Sequence, residues 1–341
     1  MSLPKKTLEI RTSPHLKSPI QTDTIMRNVV YALLPVAAFA VYLFGLAALL
    51  VLLVSTLAAV LTEHFLCILN HRESTIRDWS AVITGLLLGL TLPPALPLWM
   101  VACGGIIAIA LGKFMFGGLG YNSFNPALVG RAVLQASFPV AITTWYPAMT
   151  PDRFSSLPAS SLTMPFMKPV WDTVTTATPL GQMKFEHIAA ETGNLFFGMS
   201  GGSVGETSAL IILICGAYLA ARNMLNWRIP VTIFAVVAGL TAIFHGISPE
   251  TYPTPQFMLF SGGLMLGAVF MATDMVASPL TTPGVIVYSA VIGVMIVVIR
   301  FWGGLPEGVM YAILFGNAVS PLIERSIQPR VYGTTSRRAK A

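Results

Sequence analysis

Residues 29–69 form one apolar stretch in which Glu63 is the only formal charge, with His64 beside it. Backbone buried in hydrocarbon must bond every N–H and C=O within its own segment, so a lipid-embedded stretch of this kind is helical. It is long enough for two crossings of about 20 residues each, turning near Gly45, and too long for the apolar core of a signal peptide. The same texture recurs to the C-terminus, with apolar runs separated by short knots of proline, glycine and charge. Of the 341 residues, 55% are hydrophobic and 10% charged, against about 25% charged in a soluble domain. The expected class is an all-α polytopic membrane protein.

About ten spans can be placed. The first two are followed by a polar hairpin with Arg72, Arg77 and Asp78, then by a short third span at 80–92 that ends at Pro93, Pro94 and Pro97. The fourth covers 98–116, with Lys113 marking a cytoplasmic end, and the fifth opens at Asn125-Pro126, an N-cap followed by a first-turn proline. Spans six to ten fall at 208–221, 229–245, 257–272, 283–299 and 306–323, with Arg300 capping the ninth on the outside. Lys5, Lys6, Arg11, Lys17 and Arg27 precede the first span, and Arg330, Arg337, Arg338 and Lys340 follow the last. Both termini are therefore expected in the cytoplasm. Because the net charge of +6 sits largely at these ends, it reads as topology and not as nucleic-acid binding. Cys67, Cys103 and Cys215 have no paired spacing, which argues against a thiolate metal site or a disulfide framework.

The expected organisation is a tail at 1–27, a five-helix repeat at 28–138, an external loop at 139–206, a second repeat at 207–323 and a tail at 324–341. Gly85-Leu86-Leu87-Leu88-Gly89, followed by Thr91 and Pro97, is echoed by Gly263-Leu264-Met265-Leu266-Gly267, followed by Thr273 and Pro279. Gly117-Gly118-Leu119 before Pro126 and Arg131 is echoed by Gly303-Gly304-Leu305 before Pro321 and Arg325. An odd number of spans per repeat makes the two repeats inverted, and inverted repeats with proline-broken spans point to a midplane site. Asp274, beside Thr273 at the break after span eight, reads either as an ion ligand or as a helix cap. Arg131, inside span five, must face the bundle interior or a wet cavity; its partner is a phosphate, a carboxylate, an ion path or a buried carbonyl. The glycine-rich turn before it lacks the spacing and lysine of a nucleotide loop.

The polar interval at 139–206 holds Asp172-Thr173-Val174-Thr175-Thr176-Ala177-Thr178-Pro179. Pro179 biases Thr178 toward an extended conformation that presents its hydroxyl. A threonine hydroxyl needs an activating base or enzyme, and the motif contains no His or Cys. It is either an ST-turn or the target of a separate transferase. With few basic residues after five spans, the loop is expected outside, in the periplasm.

Asp172, Thr175, Ala177 and Thr178 fit the flavin-attachment motif of the RnfD and NqrB subunits of bacterial redox-driven ion pumps, with Thr176 where glycine is commoner. Ser13-Pro14-His15, Asn125-Pro126-Ala127 and Gly130-Arg131-Ala132 also resemble that family, and the likeness covers nearly the whole chain. The resemblance implies FMN joined to Thr178 through a phosphoester, with Asp172, Thr175, Thr176 and Ala177 around it and Arg131 as a further cofactor contact, and it leaves open whether a second, non-covalent riboflavin sits among the broken helices. It also implies one inner-membrane subunit, not a complete enzyme, of a translocase that passes electrons between ferredoxin and NAD while moving Na+ or H+. Its partners are the other membrane and peripheral Rnf subunits and a flavin transferase. The implied fold is similar to the urea-channel type, which leaves a solute channel as the rival reading.

Overall fold

The computed structural model describes residues 21–72, 75–165, 167, 178–186, 190–198, 201–206 and 208–329. Among these, all regular structure is helical. Helices α1 (Thr22–Phe44) and α2 (Leu46–Leu69) form the expected hairpin about Gly45. They are followed by α3 (Ser80–Thr91), α4 (Leu98–Gly112) and α5 (Pro126–Ser137). Asn125 caps α5 as expected, its Oδ1 accepting from the Ala127 N–H at 3.1 Å. The polar interval contains α6 (Pro139–Thr143), α7 (Pro179–Glu186) and α8 (Thr192–Phe197). The second half comprises α9 (Ala209–Ala221), α10 (Arg228–Ile247), α11 (Pro255–Phe260), α12 (Leu264–Leu266), α13 (Thr282–Trp302) and α14 (Val309–Ser326).

Five helices are long and apolar enough to cross a membrane: α1, α2, α4 with its following turn, α10 and α13. The third of the ten or so expected spans is read from the sequence as short, and the structure agrees. Helix α3 has 12 residues, and at 1.5 Å per residue it is roughly 18 Å long, well short of about 30 Å of hydrocarbon. Unwound backbone extends it, with Leu92, Ala95 and Leu96 all buried.

Such backbone is stable only if other groups satisfy it, and the polar interval does so. The Val204 and Gly205 N–H groups donate to the Leu92 and Leu90 carbonyls at 3.0 and 2.6 Å. Ser160 Oγ donates to the Ala95 carbonyl at 2.7 Å, and the Leu98 N–H donates to Ser161. Elsewhere the interval meets the α1–α2 turn, where Leu46 N–H donates to Arg153 O and Met149 N–H to Leu43 O. Lys184 on α7 donates to the Arg300 and Gly303 carbonyls at the end of α13. The ends of α1, α3 and α13 therefore share one face of the bundle, and the described part of the stretch expected as an external loop is docked onto it.

The expected eighth span is not one helix. It stops at Phe260, passes through Gly262 at φ +67°, and resumes as α12 and a π-helical turn, Gly267–Met271. A Cβ on Gly262 would lie 2.5 Å from Leu180 Cδ1, so close packing of α7 adds to the left-handed φ in requiring glycine there. Arg300, expected as an outer cap of span nine, is instead 4% exposed. Its Nη1 and Nη2 donate to the Met258 and Ser261 carbonyls at 2.5 and 2.8 Å, so it caps the interrupted α11. Lys113 is likewise buried and does not mark an exposed helix end. Its Nζ donates to both Glu63 oxygens at 2.6 and 2.8 Å and to Ser80 Oγ at 2.5 Å, tying α4 to α2 and α3.

The order of packing is alike in the two halves. Helix α2 packs on α3 and α4, and α4 on α5; α10 packs on α11 and α13, and α13 on α14. Between the halves, α1 meets α9 and α5 meets α14.

Candidate functional site

Thr178 directly precedes α7 and acts as its N-cap. Its Oγ1 accepts from the Gly181 N–H at 3.1 Å, while its carbonyl accepts from the Gln182 N–H at 2.9 Å. Asp172, Thr175, Thr176 and Ala177 lie outside the described residues. The expectation of a hydroxyl displayed on an open loop is corrected, because Thr178 is 4% exposed. It lines a cavity of about 300 Å3 together with Gln135, Trp145, Phe185, Glu186 and Glu307. Aromatic side chains beside hydrogen-bonding groups are what a planar heteroaromatic ring requires of a wall. Burial also holds the nearby Lys184 ammonium below the ordinary lysine range, and the carbonyls at the end of α13 occupy its donors.

Arg131 faces the bundle interior, as its place in an apolar helix demands. It is 7% exposed, and its Nη2 donates to Glu307 Oε2 at 2.8 Å. Of the partners open at the level of sequence, the structure provides a carboxylate. Glu307 sits on the turn between α13 and α14, and both it and Gln135 also line the Thr178 cavity. Arg131 is thus one residue removed from the wall beside Thr178.

Asp274 and Thr273 lie at the other end of α3. Asp274 Oδ1 accepts from the Val276 N–H at 3.1 Å in a turn that follows it, and Oδ2 accepts from Asn122 Nδ2 of the first half at 3.3 Å. Thr273 donates to the Val269 carbonyl at 2.6 Å. Both line a cavity of about 110 Å3 with Ser80, Thr84, Lys113 and Asn122. The structure therefore gathers Arg131 with Thr178 and keeps Asp274 and Thr273 apart from them.

Sequence reasoning missed the pairing of Glu307 with Arg131 and of Glu63 with Lys113. A signal was present, since each is an acid or base within or beside an apolar run, where an unpaired charge is costly. Which charges pair is a matter of tertiary structure.

Against this geometry, the chain matches the NQR2, RnfD, RnfE family over residues 9–333. It is 43% identical, over 97% of each chain, to a component of the proton-translocating ferredoxin:NAD(+) oxidoreductase complex of Clostridium ljungdahlii. It is 41% identical, over 98% of each, to the corresponding component of the Na(+)-translocating ferredoxin:NAD(+) oxidoreductase complex of Acetobacterium woodii. With a component of the ion-translocating oxidoreductase complex of Stutzerimonas stutzeri it shares 39% identity, over 92% of this chain and 93% of that one.

Proposed function

The chain belongs to the NQR2, RnfD, RnfE family, and we propose that it is the flavin-carrying membrane subunit of a redox-driven ion pump. In this reading it serves a complex that passes electrons between ferredoxin and NAD and couples them to movement of Na+ or H+. Two relatives whose names specify an ion are almost equally similar to it, one naming the proton and the other Na+, so similarity does not choose between them.

The observation that carries the flavin reading is Thr178 itself. It ends the Asp-Thr-Val-Thr-Thr-Ala-Thr motif and lines a cavity walled by Trp145 and Phe185. Its cap to Gly181 uses an oxygen lone pair, so exchanging the hydroxyl proton for a phosphoryl group leaves that contact in place. A bound flavin supplies electron transfer, while the chain's residues bind and orient it. A covalent tether holds it at high effective concentration beside its redox neighbours. The partner of Thr178 Oγ1 among the described residues is a backbone N–H, not a base, which supports attachment by a separate flavin transferase.

The same reading sets the chain in the bacterial inner membrane, with both termini cytoplasmic and Thr178 periplasmic, in ten crossings arranged as two inverted five-helix repeats of urea-channel type. The shared face of the α1, α3 and α13 ends and the like packing order of the halves support it. Asp274 and Thr273, at the Asn122 contact between halves, are assigned to the ion path.

The test is the intact mass of the chain coexpressed with a flavin transferase. One FMN less water is expected, with flavin fluorescence that survives denaturation and is absent from Thr178→Val. A wild-type chain of unmodified mass overturns the reading.

A further inference from the structure

Several polar atoms left without partners gather in one place. Arg131 Nε, Arg300 Nε, Glu206 Oε1, Glu307 Oε1 and Ser203 Oγ are buried with no hydrogen-bond partner among the described residues. All five residues line a single cavity of about 30 Å3. They come from four stretches: α5, the segment before α9, the end of α13 and the turn before α14. Arg131, Ser203 and Arg300 are each at least nine-tenths buried.

Other polar atoms of these side chains have partners. Arg131 Nη2 holds Glu307 Oε2, Glu206 Oε2 accepts from the Ser203 N–H at 3.3 Å, and the Arg300 Nη atoms hold two carbonyls. The buried atoms left over are two N–H donors, two carboxylate acceptors and one hydroxyl. Buried polar groups in native proteins are met by protein or by water. Two guanidinium groups disfavour a cation here, and two carboxylates disfavour an anion.

A water molecule matches the set, accepting from the two Nε–H groups and donating to the two Oε1 atoms. One water needs about 10–15 Å3, so the cavity has room for two or three, and one of them suffices for the bridge. We propose that Arg131, Glu206, Arg300 and Glu307 build an internal water site that relays protons between the Thr178 cavity and Thr91 at the unwound end of α3.

Continuity supports the route. Glu307 and Gln135 line both cavities, and Thr91 lines the smaller one. In the transfer, a proton arriving from the Thr91 side is first held on Glu206 Oε1; the bridging water gives a proton to Glu307 Oε1 and takes that one, so Glu206 returns to carboxylate and the water is restored. Only O–H bonds form and break, and no electron moves. The groups facing Glu307 are Arg131 from α5, Arg300 from α13, Glu206 from the segment before α9 and, across the larger cavity, Glu186 from α7. Negative charge arising on a group carried by Thr178 draws the proton toward Glu307; this use of the relay rests on the flavin reading.

The experiment has two arms on the full-length purified chain. In the first, infrared spectra of protein carrying 13C-carboxyl glutamate are recorded against pH in H2O and D2O. A buried protonated-carboxyl band, shifted by both labels and titrating with pH, is expected in wild type and in the exposed-site control Asp152→Asn. It should be reduced in Glu206→Gln and Glu307→Gln. In the second arm, the midpoint potential of the attached flavin is followed against pH, and its slope should be shallower in both glutamine variants than in the control. The relay is overturned by the absence of any label-sensitive band, by a band that both variants retain in full, by a band that responds to Na+ at fixed pH, or by unchanged slopes. A chain without flavin overturns the functional reading alone, and the infrared arm still decides the relay.

Discussion

Replacing Arg131 with leucine weighs the buried charge cluster directly. The pair is 2.8 Å apart, with side chains 9% and 16% exposed, so solvent screens it little. Glu307 Oε1 already lacks a partner among the described residues, and the substitution takes the ion-pair partner from Oε2. Removing one member of a buried pair costs about 3–5 kcal/mol, whereas replacing both members with apolar residues is often near neutral. Arg131→Leu is therefore expected to lose about 3–5 kcal/mol, and Arg131→Leu with Glu307→Leu to recover most of it. Arg131→Lys should fall between, keeping the charge but not the planar fork of donors. At about 2–4 °C per kcal/mol for a chain of this order of size, the single leucine variant should melt roughly 6–20 °C below wild type. Thermal unfolding in detergent, followed by size-exclusion of the soluble fraction, reads this out. A leucine variant within about 1 kcal/mol of wild type, or a double variant no better than the single, would refute the argument that Arg131 is held by a buried carboxylate.

Other substitutions address other parts of the molecule. A Cβ on Gly85 would sit 2.4 Å from Thr56 Cα, so Gly85→Ala must push α3 off α2; about 1–3 kcal/mol of overpacking should appear as a lowered melting temperature. Thr178→Ala should lose both the flavin and the α7 cap, the latter worth about 1 kcal/mol, whereas Thr178→Ser should keep the cap; fluorescence and melting, measured together, separate the two effects. In a background without native cysteines, Glu186→Cys should react with an impermeant thiol reagent in spheroplasts and Arg325→Cys should not; equal labelling would sink the assigned topology. Asp274→Ala removes the acceptor for Val276 and Asn122, and ions moved per electron should fall in proteoliposomes of the whole complex while electron transfer persists; an unchanged ratio takes Asp274 off the ion path.

What could be read from the sequence depended on how local its cause is. The α1–α2 hairpin and the Asn125 cap are set within a few residues of themselves, and both stand where the pattern of apolar runs and turn residues puts them. The break in the eighth span is different, because 257–272 reads as one apolar run with only Ser261-Gly262-Gly263 to mark it. Arg300, 42 residues from Met258 in sequence, satisfies the freed carbonyls, and Leu180 packs against Gly262. The partner of Arg131 lies 176 residues away, so sequence could state that a partner exists and not which one. Thr178 is buried for the same kind of reason. The interval that contains it is held by carbonyls exposed where helices from both halves end.

Those docking contacts bear on function as well as on stability. Unwound backbone persists in a membrane protein only where protein or water meets it, and here one polar interval meets α3 at Leu90 and Leu92 while sending α7 across to α13. Helix α7 carries Thr178 at its start, Leu180 against Gly262, and Lys184 on the Arg300 and Gly303 carbonyls. Arg300 in turn holds the carbonyls at the end of α11. A load at Thr178 is therefore connected to the break between α11 and α12 by packed contacts and hydrogen bonds through two side chains, without an intervening loop. Coupling between sites needs an element that both sites bias. The interrupted α11–α12 segment meets that description, lying between the Arg300 contact at one end and the Asn125 contact to the Met271 carbonyl at the other.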